Sequence, residues 1–285
     1  MTMPWWLKIL LKIVVSRVPL PYRIFARFGI FRHGKMDDAD YAYGVFNKHF
    51  ALKPGDKPWV GAEIGPGDSI FSALLAHDHG ATNFWLIDAG NFADRTLDRY
   101  KNMTNSLQQR GILKKSSSFN MHRDFDNMLE NLNANYLTNG VDSLRDIPDE
   151  SVDLLWSHAV LEHIRASSFS DFCKQSYRIA KPGGYASHVV DFKDHLSSGL
   201  NNLRFPSEFW EKDWFAQNSG FYTNRIRASS MRKEFENAGF EVKIISESRW
   251  NASPISRSSL SIEFAKIDDS DLLVSGMHFL LKKNS

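Results

Sequence analysis

Two acids and a glycine hinge are the first residues of the chain whose types and spacing could do chemistry together. In "WVGAEIGPGDSI", residues 59–70, Glu63 precedes Gly65-Pro66-Gly67, and Asp88 closes the next apolar run, "NFWLIDAG". A sharp glycine turn between a strand and a helix places backbone N–H groups beside a ligand. An acid at the end of the following strand can accept hydrogen bonds from two ribose hydroxyls; read alone, it could equally cap a helix. Phosphate chemistry fits poorly. Gly67 is followed by Asp68-Ser69-Ile70, with no lysine for a phosphate-cradling loop and Ile70 where a dinucleotide fingerprint wants its third glycine. Glu63 would repel a pyrophosphate and suits a positively charged ligand. A second set of groups, His158, His163, His188, Asp191, Asp194 and His195, offers bases that could take a proton from an acceptor.

Positioning these groups requires strands that end beside one another. The first strand is expected over Val60 to Ile64, then a helix over roughly Ser69 to His79 stopped by Gly80, a natural C-cap. "NFWLID" reads as a buried strand, "DRTLDRYKNMTNSLQQRG" and "FDNMLENLN" as helices, and "ANYLTNG" as a short third strand. "SVDLLWSH" is a clear strand, followed by helical "AVLEHI" and amphipathic "SFSDFCKQSYRIA". "KPGG" stops that helix and leads into the buried strand "YASHVVDF". Strands alternating with helices argue an α/β fold with a doubly wound, mostly parallel sheet. Beyond Phe192 the pattern changes to aromatics, Asn and Arg without strand periodicity, a helical cap insert at about residues 192–230. "SMRKEFENAGFEVKIISESRW" then reads as helix, Gly239 cap and strand, and "LLVSGMHFLLKK" as the last strand. The expected division is a basic helical extension over residues 1–58 and one domain over 59–285.

With 285 residues, 42% hydrophobic and 24% charged, the composition is that of a packed globular chain. A formal net charge of +2 gives no reason to expect a nucleic-acid partner. The single cysteine, Cys173, excludes an intrachain disulfide and fits a reducing compartment. In "WWLKILLKIVVSRV" Lys8, Lys12 and Ser16 share one narrow stripe of a helix. Residues 5–18 therefore read either as an interfacial helix on a membrane or as a helix packed over the domain. The expected location is cytoplasmic, with peripheral contact to the inner face of a membrane under the first alternative.

Four stretches in this order carry a family resemblance: "AEIGPG", "WLIDAG", "DIPDESVDLLWSHAVLEHI" and "RIAKPGGYASHVVDF". From Trp59 to its end the chain resembles class I S-adenosylmethionine-dependent methyltransferases. The resemblance implies a Rossmann-like seven-stranded sheet with an antiparallel last strand, and S-adenosylmethionine as cofactor. Carried over position by position, it implies that Glu63, Ile64, Gly65, Pro66 and Gly67 surround the amino-acid part of the cofactor. It implies Asp88 and Ala89 at the ribose, Ser157 and His158 at the strand exit, and Gly140, Val141 or Asp142 at the adenine. Asp142 reads equally well as a solvated loop acid, and Ser69 stands where many members have a further glycine.

The acceptor is expected to be a small molecule or a glycan, lipid-linked if the N-terminus meets a membrane, methylated on oxygen. Asp191 and His195 are the favoured bases, with His158 beside them, and Arg204, Tyr222, Arg225 and Arg227 of the insert are the expected acceptor contacts. Cys173 lies inside a helix rather than at a strand exit, and no Asn/Asp-Pro-Pro-aromatic run occurs, which argues against methylation of nucleic-acid bases. No metal site is expected, because no His-x-x-x-His pair or cysteine cluster is present. Two alternatives remain: a binding or scaffold protein that keeps the fold and transfers nothing, and an NAD-dependent oxidoreductase, which Pro66 and Ile70 disfavour.

Overall fold

The computed structural model describes residues 35–55, 58–113, 123–218 and 220–285, together with Leu7; apart from Leu7, the segment 5–18 lies outside them. The chain runs α1 (Ala39–Phe50), β1 (Trp59–Ile64), α2 (Phe71–Asp78), β2 (Ala81–Ile87), α3 (Leu97–Gln109), α4 (Phe125–Asn131) and β3 (Ala134–Leu137). It continues through β4 (Val152–His158), α5 (Ala166–Ile179), β5 (Ala180–Asp191), α6 (Ser207–Trp210) and α7 (Asp213–Asn218). The last elements are α8 (Ala228–Asn237), β6 (Glu241–Arg249), α9 (Asp269–Leu272) and β7 (Val274–Lys282). The seven strands form one sheet in the order β3-β2-β1-β4-β5-β7-β6. The β1–β2, β1–β4, β2–β3 and β4–β5 pairs are parallel, whereas β7 runs antiparallel to both β5 and β6. This is the doubly wound sheet with an antiparallel last strand that the alternation of elements and the resemblance imply.

Alternate residues of a strand face opposite sides of its sheet, and β4 divides its side chains accordingly. Leu154 and Trp156 enter one core with Phe46, Trp59, Phe84 and Tyr100. Leu155 enters the other with Phe169, Phe172, Phe235 and Phe279. In α5 the buried residues Phe169, Phe172, Cys173 and Ser176 recur at helical spacing, which fixes the face turned to the sheet. Local signals start and stop the helices: Asp38 accepts from the Tyr41 N–H to begin α1, and Gly80 and Gly239 take positive φ after α2 and α8. "AVLEHI" forms only a 3-10 turn at Leu161–His163. Ala159 at φ 54 takes the chain out of β4, and the Asn224 side chain donates to the carbonyls of Leu161 and Ile164, which holds the segment as a single turn. "KPGG" lies inside β5, with the register shifted between Val152 and Leu154.

Helix α1, which sequence alone places in the N-terminal extension, packs into the core through Ala42, Val45 and Phe46. Its anchor is Trp156. Rings of Phe46, His49, Trp59 and Phe84 surround that indole, and its Nε1–H donates to Glu63 at 3.2 Å. His49 extends the contact as a buried polar chain: its Nδ1 meets Ser187 Oγ at 2.8 Å, and Ser187 Oγ meets His278 Nε2 at 2.8 Å. On the opposite face His188 Nδ1 meets Ser157 Oγ at 2.8 Å.

The insert after β5 has its own small core of Leu196, Trp210, Phe215, Phe221 and Tyr222. The segment after β6, whose place the pattern did not suggest, supports it: Leu200 and Leu203 pack with Ile255 and Leu272, with Phe264 and Ile267 against them.

Two measurements check this arrangement. Trp156→Ala should lower the unfolding free energy by about 3–5 kcal/mol, since it empties a large buried volume and strips a partner from Glu63; urea denaturation reads the change. Burial drives the pKa of His188 down to about 3 and that of His49 well below 6.5. Both stay neutral in the fold and take up a proton on unfolding below pH 6.5, so their stabilisation is complete above that pH. It is lost as pH falls toward the folded values, at up to about 1.4 kcal/mol per pH unit for each. Glu63 and Glu162, raised to about 7 and about 8, act in the opposite sense, so the unfolding free energies of the wild type and His188→Phe are compared; an identical pH dependence of the two below about pH 6.5 contradicts this.

Candidate functional site

A cavity of about 530 Å³ opens at the carboxyl ends of β1, β2 and β4 and is lined by Ile64, Gly65, Asp88, Ala89, Gly140, Val141, Asp142, Val160 and His163, among others. In open parallel sheets this edge, where the strand order reverses between β1 and β4, is where ligands bind. The size lies within the ordinary range for small-molecule pockets.

The glycine hinge builds one wall. Gly65 and Gly67 adopt φ 73 and 67, and a Cβ on Gly65 would come within 2.4 Å of Val160 Cγ2. Only glycine fits there, and its bare backbone borders the cavity. Asp88, 8% exposed, is fixed by the hinge: its Oδ2 accepts from the Gly67 N–H at 2.9 Å and its Oδ1 from the Ala89 N–H at 2.7 Å. Its own carbonyl accepts from the Gly140 N–H at 2.8 Å, which ties the β3 exit loop, with Gly140 at φ 58, to the same wall. The remaining acceptor capacity of Asp88 suits two vicinal hydroxyls. Ile64, Leu144, Val160 and Phe172 add apolar surface. These residues fit a nucleoside with a flat base and a ribose.

Five residues expected around the cofactor do not line the cavity: Glu63, Pro66, Gly67, Ser157 and His158. Alternation in β1 turns Glu63 to the opposite face from Ile64, where it accepts from Ser72 Oγ and from Trp156 Nε1–H. Burial, opposed by those hydrogen bonds and reinforced by Asp88, raises its pKa to about 7. Ser157 is fully buried on His188. His158 faces a second cavity of about 450 Å³, with Lys48, Asp191, Lys193 and His278. Its Nδ1 lies 3.3 Å from His49 Nε2, and burial pulls its pKa down to about 4. Pro66 holds the hinge without lining the cavity.

The expected bases separate as well. Asp194, 2% exposed, is a loop organiser whose carboxylate accepts from the N–H groups of Leu196, Ser197 and Asn201. Asp191 accepts from the Lys193 N–H at 2.9 Å and pairs with its ammonium at 3.6 Å. His195 is exposed, and its ring centroid lies 4.8 Å from that of His163, which does line the large cavity. Glu162 lies beside them. It is 3% exposed, and burial, with Asp191 near, raises its pKa to about 8. No helical spacing in the sequence brings Glu162 and His163 to His195; the turn after β4 and the loop after β5 do.

The insert's polar residues serve mainly its own structure. Arg227 is 3% exposed and donates to the carbonyls of Phe192, Asp271 and Val274, clasping α9 and β7. Arg225 donates to Phe205 O and Ser207 Oγ and lies over the Trp210 and Phe264 rings. The Tyr222 hydroxyl donates to Glu211 and accepts from the Ala166 N–H, and Arg204 donates to Asn201. What the insert does at the cavity is to hold its rim. Arg165 reaches Glu211 O and Asp213, and the Tyr222 carbonyl lies 3.1 Å from His163 Nδ1.

Residues 62–187 match a family model described as a methyltransferase domain, a span that runs from β1 into β5 and holds the whole wall described above. No curated protein matches the chain by sequence. Among solved structures, the chain is similar to the YcgJ protein of Bacillus subtilis, at 14% identity over 85% of this chain and 99% of that one, TM-score 0.46. It is similar to a SAM-dependent methyltransferase of Archaeoglobus fulgidus, at 12% identity over 86% and 95%, TM-score 0.47. It is also similar to phosphoethanolamine N-methyltransferase 2 of Haemonchus contortus, solved with phosphomonomethylethanolamine and S-adenosylhomocysteine, at 15% identity over 84% and 53%, TM-score 0.45. Over residues 62–187, then, the chain is similar to a methyltransferase domain.

Proposed function

We propose that the chain is an S-adenosylmethionine-dependent methyltransferase acting on a hydroxyl oxygen of a small molecule or glycan. The convergence of Asp88, Gly65 and Gly140 on one wall of the 530 Å³ cavity supports it most. When bound, S-adenosylmethionine supplies a methyl group on a positively charged sulfur, open to in-line displacement. Asp88 would accept from the ribose hydroxyls while the Gly67 and Ala89 N–H groups hold its carboxylate in orientation. Val141 and Asp142 would flank the adenine, and Gly65, without a side chain, would let the amino-acid end lie against backbone. Ile64, Val160 and Phe172 would exclude water.

A hydroxyl acceptor must lose its proton as the new bond forms. His188 and Asp194 are committed to buried contacts, and His158 and Asp191 border the second cavity. His163, on the wall of the large cavity, and His195 beside it therefore mark the place of deprotonation. The insert would close the acceptor side through its backbone and rings, because Tyr222, Arg225 and Arg227 spend their polar groups internally. Residues 5–18 would set the domain against an anionic membrane surface, bringing a lipid-linked acceptor within reach.

Asp88→Asn should weaken binding of S-adenosylhomocysteine by roughly 10–100-fold, the cost of about 1.5–3 kcal/mol for hydrogen bonds to a charged group; calorimetry reads it, with NAD as the control that should not bind. Binding of NAD alone would exclude methyl transfer. Binding of S-adenosylhomocysteine without transfer of labelled methyl into a cell extract would favour the scaffold alternative. Reversing the charge of Lys8 and Lys12 should abolish co-sedimentation with anionic vesicles; equal sedimentation would remove the membrane contact.

A further inference from the structure

Glu162, His163 and His195 each bring one potential ligand atom within 4.8 Å of the others. Glu162 is almost wholly buried, yet neither of its carboxylate oxygens has a hydrogen-bond partner. Its own backbone N–H and that of Asp191 lie close enough to act on its charge without closing a bond of ordinary geometry. Lys193, on the same loop as His195, pairs with Asp191. Buried polar groups in folded proteins are satisfied, and an exception points to a water or an ion.

His163 is presented in a form that suits a cation. His163 Nδ1 lies 3.1 Å from the Tyr222 carbonyl. A carbonyl oxygen can only accept, so Nδ1 carries the hydrogen and Nε2 carries the lone pair. A metal-ligating imidazole commonly anchors its second nitrogen on a backbone carbonyl in this way. The turn bearing Glu162 and His163 is fixed by Asn224, whose N–H donates to Glu162 O at 2.7 Å and whose Nδ2 donates to Leu161 O and Ile164 O. The loop bearing His195 is fixed by the Asp194 carboxylate on the N–H groups of Leu196 and Ser197. Both loops are thus built before any ion arrives.

We infer that Glu162, His163 and His195 form a binding site for one divalent first-row transition ion, of the Zn²⁺ class. Two imidazoles and one carboxylate suit such an ion better than Ca²⁺ or Mg²⁺, which favour all-oxygen sets. Three protein ligands leave a coordination position open. Because His163 also lines the large cavity, that position adjoins the space in which an acceptor oxygen must sit, and a bound ion there lowers the pKa of a coordinated hydroxyl. This role rests on the proposed methyl transfer; ion binding itself does not.

The full-length chain, stripped with a chelator, is titrated with Co²⁺ by visible absorption and with Zn²⁺ by calorimetry. One ion per chain is expected, with Zn²⁺ displacing the cobalt bands. His163→Ala and His195→Ala, both at exposed positions, should each weaken Zn²⁺ binding by roughly 100-fold or more, beyond the 10–100-fold typical of losing an outer partner. Glu162→Gln, which keeps the shape and removes the charge, should do the same. Absence of stoichiometric binding, or wild-type affinity retained in both histidine variants, overturns the site. S-adenosylhomocysteine calorimetry on the same samples separates the two proposals: its binding without an ion sinks the metal site alone, and ion binding without it sinks the cofactor assignment alone.

Discussion

Where β1 and β4 leave the sheet, Gly65 and Val160 press together so closely that any side chain at residue 65 would collide with the valine methyls. This contact sits at the reversal of strand order between β1 and β4, and the surrounding features are arranged about it. On one side the hinge passes its Gly67 N–H to Asp88, which in turn holds Gly140. On the other, Val160 starts the turn that carries Glu162 and His163. The cavity is the space these two chains of contacts enclose. Its polar edge joins the backbone of Gly65 and Gly140 to side chains that include Asp88, Asp142, Arg145, His163 and Asp171, and the positive φ angles of the two glycines set where that backbone runs.

Beneath that rim, β4 links the two cores. Trp156 holds α1 and Glu63 on one face, Ser157 holds His188 on the other, and His158 reaches out to His49. The buried histidines pair with hydroxyls and with one another rather than with carboxylates, so burial holds them neutral. The sheet centre is therefore a neutral polar layer inside apolar surroundings, and such a layer specifies partners more sharply than aliphatic packing does.

The glycine and acid wall of the cavity was legible in the sequence because it is made of local signals. A glycine hinge, an acid closing the next strand and a glycine after the third strand each act within a few residues of themselves, and the strand–helix alternation orders them. Glu63 was misplaced by reading its charge before its parity: two-residue alternation already sets it opposite Ile64, and likewise sets Ser157 opposite His158. The insert's arginines looked like ligand contacts because nothing in the sequence states that Phe192 O, Val274 O and Phe205 O need donors. The grouping of Glu162 and His163 with His195 was beyond reach for a related reason. It joins two loops from successive strands, and Asn224 and Asp194, which position those loops, act on backbone atoms that leave no pattern in side-chain type.

Strand β7 lies between β5 and β6, although both precede it in the chain. Until residues 274–282 have been synthesised, β5 and β6 have no partner between them, and each presents an open row of amides and carbonyls. Closure comes late and reaches far in sequence, since Lys283 also bonds Glu150 and the Tyr177 carbonyl. Such an order of events makes the nascent chain dependent on shielding of those edges while it waits, and gives the last strand the part of a keystone in assembly.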